Sequence, residues 1–148
     1  MQIKLDFELV PDGCWYSNLR TILNKEQWDF IKRDARLRAE GKCMICGSKT
    51  ARLEAHERWS YDEKTCTQKL EDVVAVCKDC HSVIHIGLTS LKGDMESAEN
   101  HYMKVNGVSY AEFRRRLGEA VKRHAKLNEI SEWKLDLTWL KRFIIDKD

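Results

Sequence analysis

The stretch CKDCHSVIH, from Cys77 to His85, offers two thiols and two imidazoles as metal donors, and CMIC upstream adds Cys43 and Cys46. Two Cys-x-x-Cys pairs joined by a long insert are the signature of a four-cysteine zinc centre. Four thiolates close a tetrahedral shell and leave no position for substrate, so such a centre is structural. The helix expected to start near Cys80 separates the remaining donors. Adjacent helical side chains point about 100° apart, so Cys80 and His81 do not face one metal. His81 and His85, four apart, share a face. Two centres are therefore expected: Cys43, Cys46, Cys77 and Cys80 on structural Zn²⁺, and His81 with His85 on a second divalent ion. The strand residue His56 is the candidate third ligand of that ion.

The elements that must position these donors are legible in outline. IKLDFEL alternates like an edge strand, and Pro11-Asp12-Gly13 ends it with turn chemistry. Asn24 with Gln27 forms a capping-box pattern, behind which Trp28, Ile31, Ala35 and Ala39 fall on one helix face that stops at Gly41. ARLEAHERW reads as a strand, SYDEKTCTQKL as a polar loop, and DVVAV as a short buried strand. After Cys77 the pattern turns helical through His85 and ends near Gly87. Asp94 caps a helix carrying Met95, Ala98, Tyr102 and Val105, with Gly107 past its end. Ser109 and Glu112 form a second capping box. The helix behind them has an apolar stripe (Tyr110, Phe113, Leu117, Val121, Leu127) and an opposite basic face. SEWKLDLTWLKRF closes with a strand or helical turn.

The chain has 148 residues and a formal net charge of +2. That length supports one domain, residues 1–148, burying roughly 70% of the surface its unfolded form exposes. So slight a charge does not announce a nucleic-acid partner, although local clusters can. The opening has no basic region followed by an apolar run, and no stretch is long enough to cross a bilayer. A soluble, cytoplasmic protein is expected, where cysteines bind metal or stay reduced more often than they pair. Cys14 and Cys66 read as free buried thiols.

Taken together, CMIC, LEAHE, LEDVVAVC and CKDCHSVIH resemble the HNH endonucleases over residues of about 40–87. That family is built on a ββα-metal motif, a two-stranded hairpin followed by a helix, often stapled by a four-cysteine zinc. The resemblance implies an α+β fold with flanking helices and a helical C-terminal extension over about 93–148. It implies a metal ligand on the first strand, matched by His56, and two on the helix, matched by His81 and His85. The residue after the first ligand is usually a histidine general base; here it is Glu57. The family asparagine falls at Asp72. In a second register His56 would be the base and Ala55 would stand at the first ligand, which retains fewer donors.

Glutamate starts near pKa 4.3 and histidine near 6.5, so Glu57 is a weak base unless burial raises it. Aspartate accepts the positioning hydrogen bonds of asparagine but cannot donate them. His101 and His124 are further base candidates from the helical region. Arg114, Arg115, Arg116, Lys122 and Arg123 form the run expected to neutralise DNA phosphates, with a more mixed cluster at residues 32–38. Trp59 and Tyr61 are candidates for stacking on a base. The expectation is a metal-dependent DNA endonuclease using Mg²⁺, Mn²⁺, Ni²⁺ or Zn²⁺ at the histidines. Its rival is a catalytically inactive, zinc-stabilised module that binds nucleic acid or protein on the same scaffold.

Overall fold

The computed structural model describes residues 5–143. Two antiparallel strands, β1 (Glu54–Asp62) and β2 (Thr67–Val76), form a hairpin, and the chain passes directly from it into helix α3 (Lys78–Ile84). The fold is mixed α+β. A short strand, β3 (Lys134–Asp136), pairs in parallel with β2, so the sheet order is β1-β2-β3. The hairpin is longer than the sequence pattern suggests. Its polar ends, read above as one loop, continue the ladder from Asp62↔Thr67 inward, leaving only residues 63–66 as the turn. Exposed pairs such as Ser60↔Lys69 alternate there with Gln68 and Leu70, which are buried, so this end of the hairpin also covers core. Between Arg58 and Trp59 the register shifts by one residue at a bulge.

Upstream of the hairpin, α1 (Leu19–Ile22) is capped by Asn18, and α2 (Lys25–Ala39) by the Asn24–Gln27 box in both directions. The left-handed position that ends α2 is Glu40, one residue before Gly41. Ile31, Ala35 and Ala39 face β2, whose Val73, Val74, Ala75 and Val76 are fully buried. Residues 5–10 are not the expected strand. They run as irregular backbone tied to the rest through Glu8 N–H donating to the Ile84 carbonyl at 2.8 Å.

Helix α3 starts earlier than expected, because the Cys77 thiolate position caps it through the Cys80 N–H. It also breaks at His85, whose ψ of 53° leaves the helical region, and a separate helix α4 (Ile86–Leu91) follows. Helices α5 (Met95–Asn106) and α6 (Tyr110–Leu127) complete the chain's helical part, and a 3₁₀ turn, Thr138–Phe143, follows the last strand. Ser109 caps α6, but the reciprocal half of the expected box is missing: Glu112 turns its carboxylate to Arg115 and Arg116. The stripe of α6 is buried at Phe113 and Leu127, whereas Tyr110 and Val121 are about half exposed. Phe7, Tyr102 and Phe113 stack into an aromatic cluster that seats α5 and α6 on the N-terminal segment. Among the described residues, no helix is long and apolar enough to cross a membrane.

Candidate functional site

The thiols of Cys43, Cys46, Cys77 and Cys80 lie within 4.8 Å of one another and are positioned to hold a metal ion. The Cys43 sulfur accepts the backbone N–H groups of Ile45 and Cys46 at 3.4 and 3.5 Å, the tight knuckle the spacing calls for. The Cys46 and Cys77 sulfurs are 3.7 Å apart. A disulfide needs about 2.05 Å, whereas the edge of a tetrahedron with metal–sulfur bonds of about 2.3 Å is about 3.8 Å. The donor set thus fits structural zinc. A hydrogen bond from Cys80 draws the Cys43 thiol down to about 4 and holds the Cys80 thiol up. A bound cation is what would let all four ionise together. His101, on α5, approaches this centre: its Nε2 is 3.2 Å from the Cys80 sulfur. It is a partner of the cysteines and has no place in the histidine cluster.

The second cluster unites His56 of β1, His81 of α3 and His85 at the helix break, with one donor nitrogen of each within 4.8 Å of the others. The imidazole centroids are 4.8 to 5.3 Å apart. Period-two alternation puts Glu54 and His56 on one face of β1, against which α3 packs. Glu54 Oε1 holds His81 Nδ1 at 2.6 Å, which leaves the opposite nitrogen of that ring free. Burial pushes both His56 and His85 down to about 3, helped by their charged neighbours. Neutral imidazole is the form that binds a metal ion, so this donor chemistry fits a divalent cation.

Glu8 belongs to the same site and has no motif that would announce it. Its Oε2 lies 2.9 Å from His56 Nε2, and burial pushes its carboxyl up to about 8. A carboxylate bonded to one ring nitrogen orients the other toward a metal. Glu57, next along β1, accepts the Leu19 N–H and the Trp59 indole N–H on the same oxygen, Oε1, at 2.9 and 3.1 Å. Among the described residues its Oε2 has no hydrogen-bond partner. Burial raises its pKa against these two bonds, toward the range a general base needs. Glu8, His56, Glu57, His81 and His85 all line one cavity of about 420 Å³.

Asp72 stands elsewhere. It pairs with Arg58 across the hairpin, accepts its neighbour Val73 N–H at 2.8 Å, and lies 3.8 Å from Arg38. With His56 and Arg58 it lines a second cavity, and it is not among the residues around the first. His124 is also remote in role: its Nε2 donates to the Val10 carbonyl at 3.1 Å.

The basic run on α6 is largely matched by acids. Arg115 pairs with Glu112 and Glu119, Arg116 with Glu112, and Arg123 with Glu63 and the Tyr61 carbonyl. Arg114 lies over the Tyr110 ring, and Lys122 is exposed with no ion-pair partner among the described residues. The cations that do line the histidine cavity are Arg20 and, from the mixed cluster at residues 32–38, Lys32.

Compared with known proteins, the chain matches no family model, and no curated protein or solved structure matches it significantly.

Proposed function

We propose that the chain is a metal-dependent endonuclease of HNH type that hydrolyses phosphodiester bonds in DNA. The observation that carries this reading is the convergence of three imidazoles, from a hairpin strand and the helix after it, beside a cavity that Glu57 also lines. His56, His81 and His85 hold a divalent cation such as Mg²⁺, Mn²⁺, Ni²⁺ or Zn²⁺. Bound there, a cation supplies charge stabilisation at phosphorus and at the departing 3′ oxygen. Glu57 accepts the proton of the attacking water, with burial bringing its basicity closer to working pH. Asp72 positions β2 by its contact with Arg38. Cys43, Cys46, Cys77 and Cys80 hold structural Zn²⁺ and fix the angle between hairpin and α3.

A second reading, a zinc-stapled binding module without hydrolytic activity, draws on one feature. Glu57 already holds α1 to β1 through the Leu19 N–H, which is a structural duty.

Incubating the purified protein with supercoiled plasmid in Mg²⁺, Mn²⁺ or Ni²⁺ separates the two. The expected result is metal-dependent nicking that His81→Ala and His85→Ala each abolish, while both variants stay folded and keep their zinc. No nicking with any metal, from folded and zinc-loaded protein, leaves the binding module.

A further inference from the structure

Five tryptophans occur in the sequence, and their environments differ. Trp133 and Trp139 pack edge-on against Tyr61 and Phe143 in the interior. Trp15, Trp28 and Trp59 make no aromatic pair among the described residues, and all three line the histidine cavity. Trp15 is 61% exposed, although a ring that size ordinarily gains from burial. Its indole N–H is already used by the Val10 carbonyl at 3.3 Å, so what it offers the solvent is mainly its ring. Arg20 and Lys32 line the same cavity. Arg20 has no ion-pair partner among the described residues, whereas the Lys32 ammonium lies 3.4 Å from Asp29 and 5.7 Å from the Trp28 ring centroid.

We infer that this cavity takes an unpaired nucleotide, with its base against the tryptophans and its phosphate between Arg20 or Lys32 and the histidine cluster. The inference rests on the nuclease reading for the identity of the reacting phosphate, but the binding it describes does not need catalysis. Indole rings accept the face of any base, and two cations accept the flanking phosphates without reading sequence. Paired duplex presents only base edges in its grooves, so an indole face gains nothing from it unless a nucleotide leaves the stack. The cavity, about 420 Å³, lies within the ordinary range for small-ligand sites, a size that a single nucleotide suits. The substrate class is therefore single-stranded DNA, or DNA with a bulged or frayed nucleotide.

The test measures binding without the catalytic metal, using full-length, zinc-loaded protein and a short labelled single-stranded oligodeoxynucleotide, its bulged duplex and its blunt duplex. Single-stranded and bulged forms should bind at least about tenfold tighter than the blunt duplex and quench tryptophan fluorescence. Trp15→Ala should cost about tenfold in single-strand affinity, and Trp15→Phe should restore most of it. Arg20→Ala should lower both affinity and its salt dependence. Equal or better binding of the blunt duplex, or unchanged single-strand affinity in Trp15→Ala, overturns the inference. Nicking that survives Trp15→Ala with unaltered KM would do the same while leaving the nuclease reading intact. Binding in the expected pattern by a protein that never cleaves would sink only the nuclease reading.

Discussion

Glu8 and His56 are separated by 48 residues in sequence, yet Oε2 of one and Nε2 of the other stand 2.9 Å apart. Burial drives each toward its neutral form, Glu8 up to about 8 and His56 down to about 3. Where Nε2 of His56 carries the ring proton and donates it to Glu8, the Nδ1 lone pair is the one left for a metal.

Replacing Glu8 by Gln should therefore loosen the histidine centre and leave the zinc centre alone. Second-sphere partners of metal-bound histidines are generally worth about 10- to 100-fold in affinity. Titration of Mn²⁺ or Ni²⁺ into zinc-loaded Glu8→Gln should show a loss in that range, with zinc content unchanged. Wild-type affinity in the variant would mean that Glu8 does not orient His56.

On the nuclease reading, Glu57→Gln keeps an oxygen to accept the Leu19 and Trp59 hydrogen bonds but removes the proposed base. Loss of a general base costs about 10²- to 10⁴-fold. Plasmid nicking should drop by at least about 100-fold, with metal affinity and melting temperature close to wild type. If nicking persists at more than a tenth of the wild-type rate, another group takes the proton.

The four-cysteine centre also serves as a helix cap, since the Cys77 sulfur accepts the Cys80 N–H at 3.4 Å. Cys77→Ala removes ligand and cap together. Loss of zinc and of cooperative thermal unfolding should follow, and chelation of zinc from the wild type should reproduce it. A chelated protein that melts at the same temperature would show the zinc to be dispensable.

With the histidine centre free of metal, stability should fall on both sides of about pH 6. His56 and His85 are held at about 3 against an ordinary value of 6.5. The unfolded chain takes up their protons first, so stability present above 6.5 is lost as pH falls toward 3. Glu8 has the opposite sign: raised from 4.5 to about 8, it favours the fold below 4.5, and that contribution is lost as pH rises through 8. Urea midpoints across this range should show the dome, with His85→Ala flattening its acid side and Glu8→Gln its alkaline side. A profile that neither substitution alters would assign the pH dependence to other groups.

The donor residues were readable because their spacing is local. Cys43 and Cys46, Cys77 and Cys80, and His81 and His85 each sit within one knuckle or one helical turn, and the Asn24–Gln27 cap is likewise a short-range pattern. Glu8 was not readable, since it lies in a segment with no ladder and meets His56 only through the tertiary fold. His101 escaped for the same reason: it reaches the Cys80 sulfur from another helix. The hairpin ends read as loop because their composition is polar: one of the inward positions is Gln68, buried through its bond to the Ser17 carbonyl rather than by being apolar. The basic run of α6 looked like a binding face although Glu112 and Glu119, three or four residues away, match Arg115 and Arg116; Glu63, which meets Arg123 and Lys126, comes from a distant turn.

Three hydrogen bonds fasten the N-terminal segment to late parts of the chain: Asn106 to the Leu5 carbonyl, His124 to the Val10 carbonyl, and the Asp12 N–H to Asn128. Their separations of 101, 114 and 116 residues are among the slowest kinds of contact to form. During synthesis the two Cys-x-x-Cys knuckles can meet as soon as residue 80 is free, and Glu8 can meet His56 and Ile84 soon after, whereas the nearby Val10 and Asp12 gain their partners only after α6 has emerged. Both donor clusters and the Glu8 carboxyl thus come from the first 85 residues, and the contacts that lock the N-terminal segment beside them arrive only once synthesis has passed residue 128.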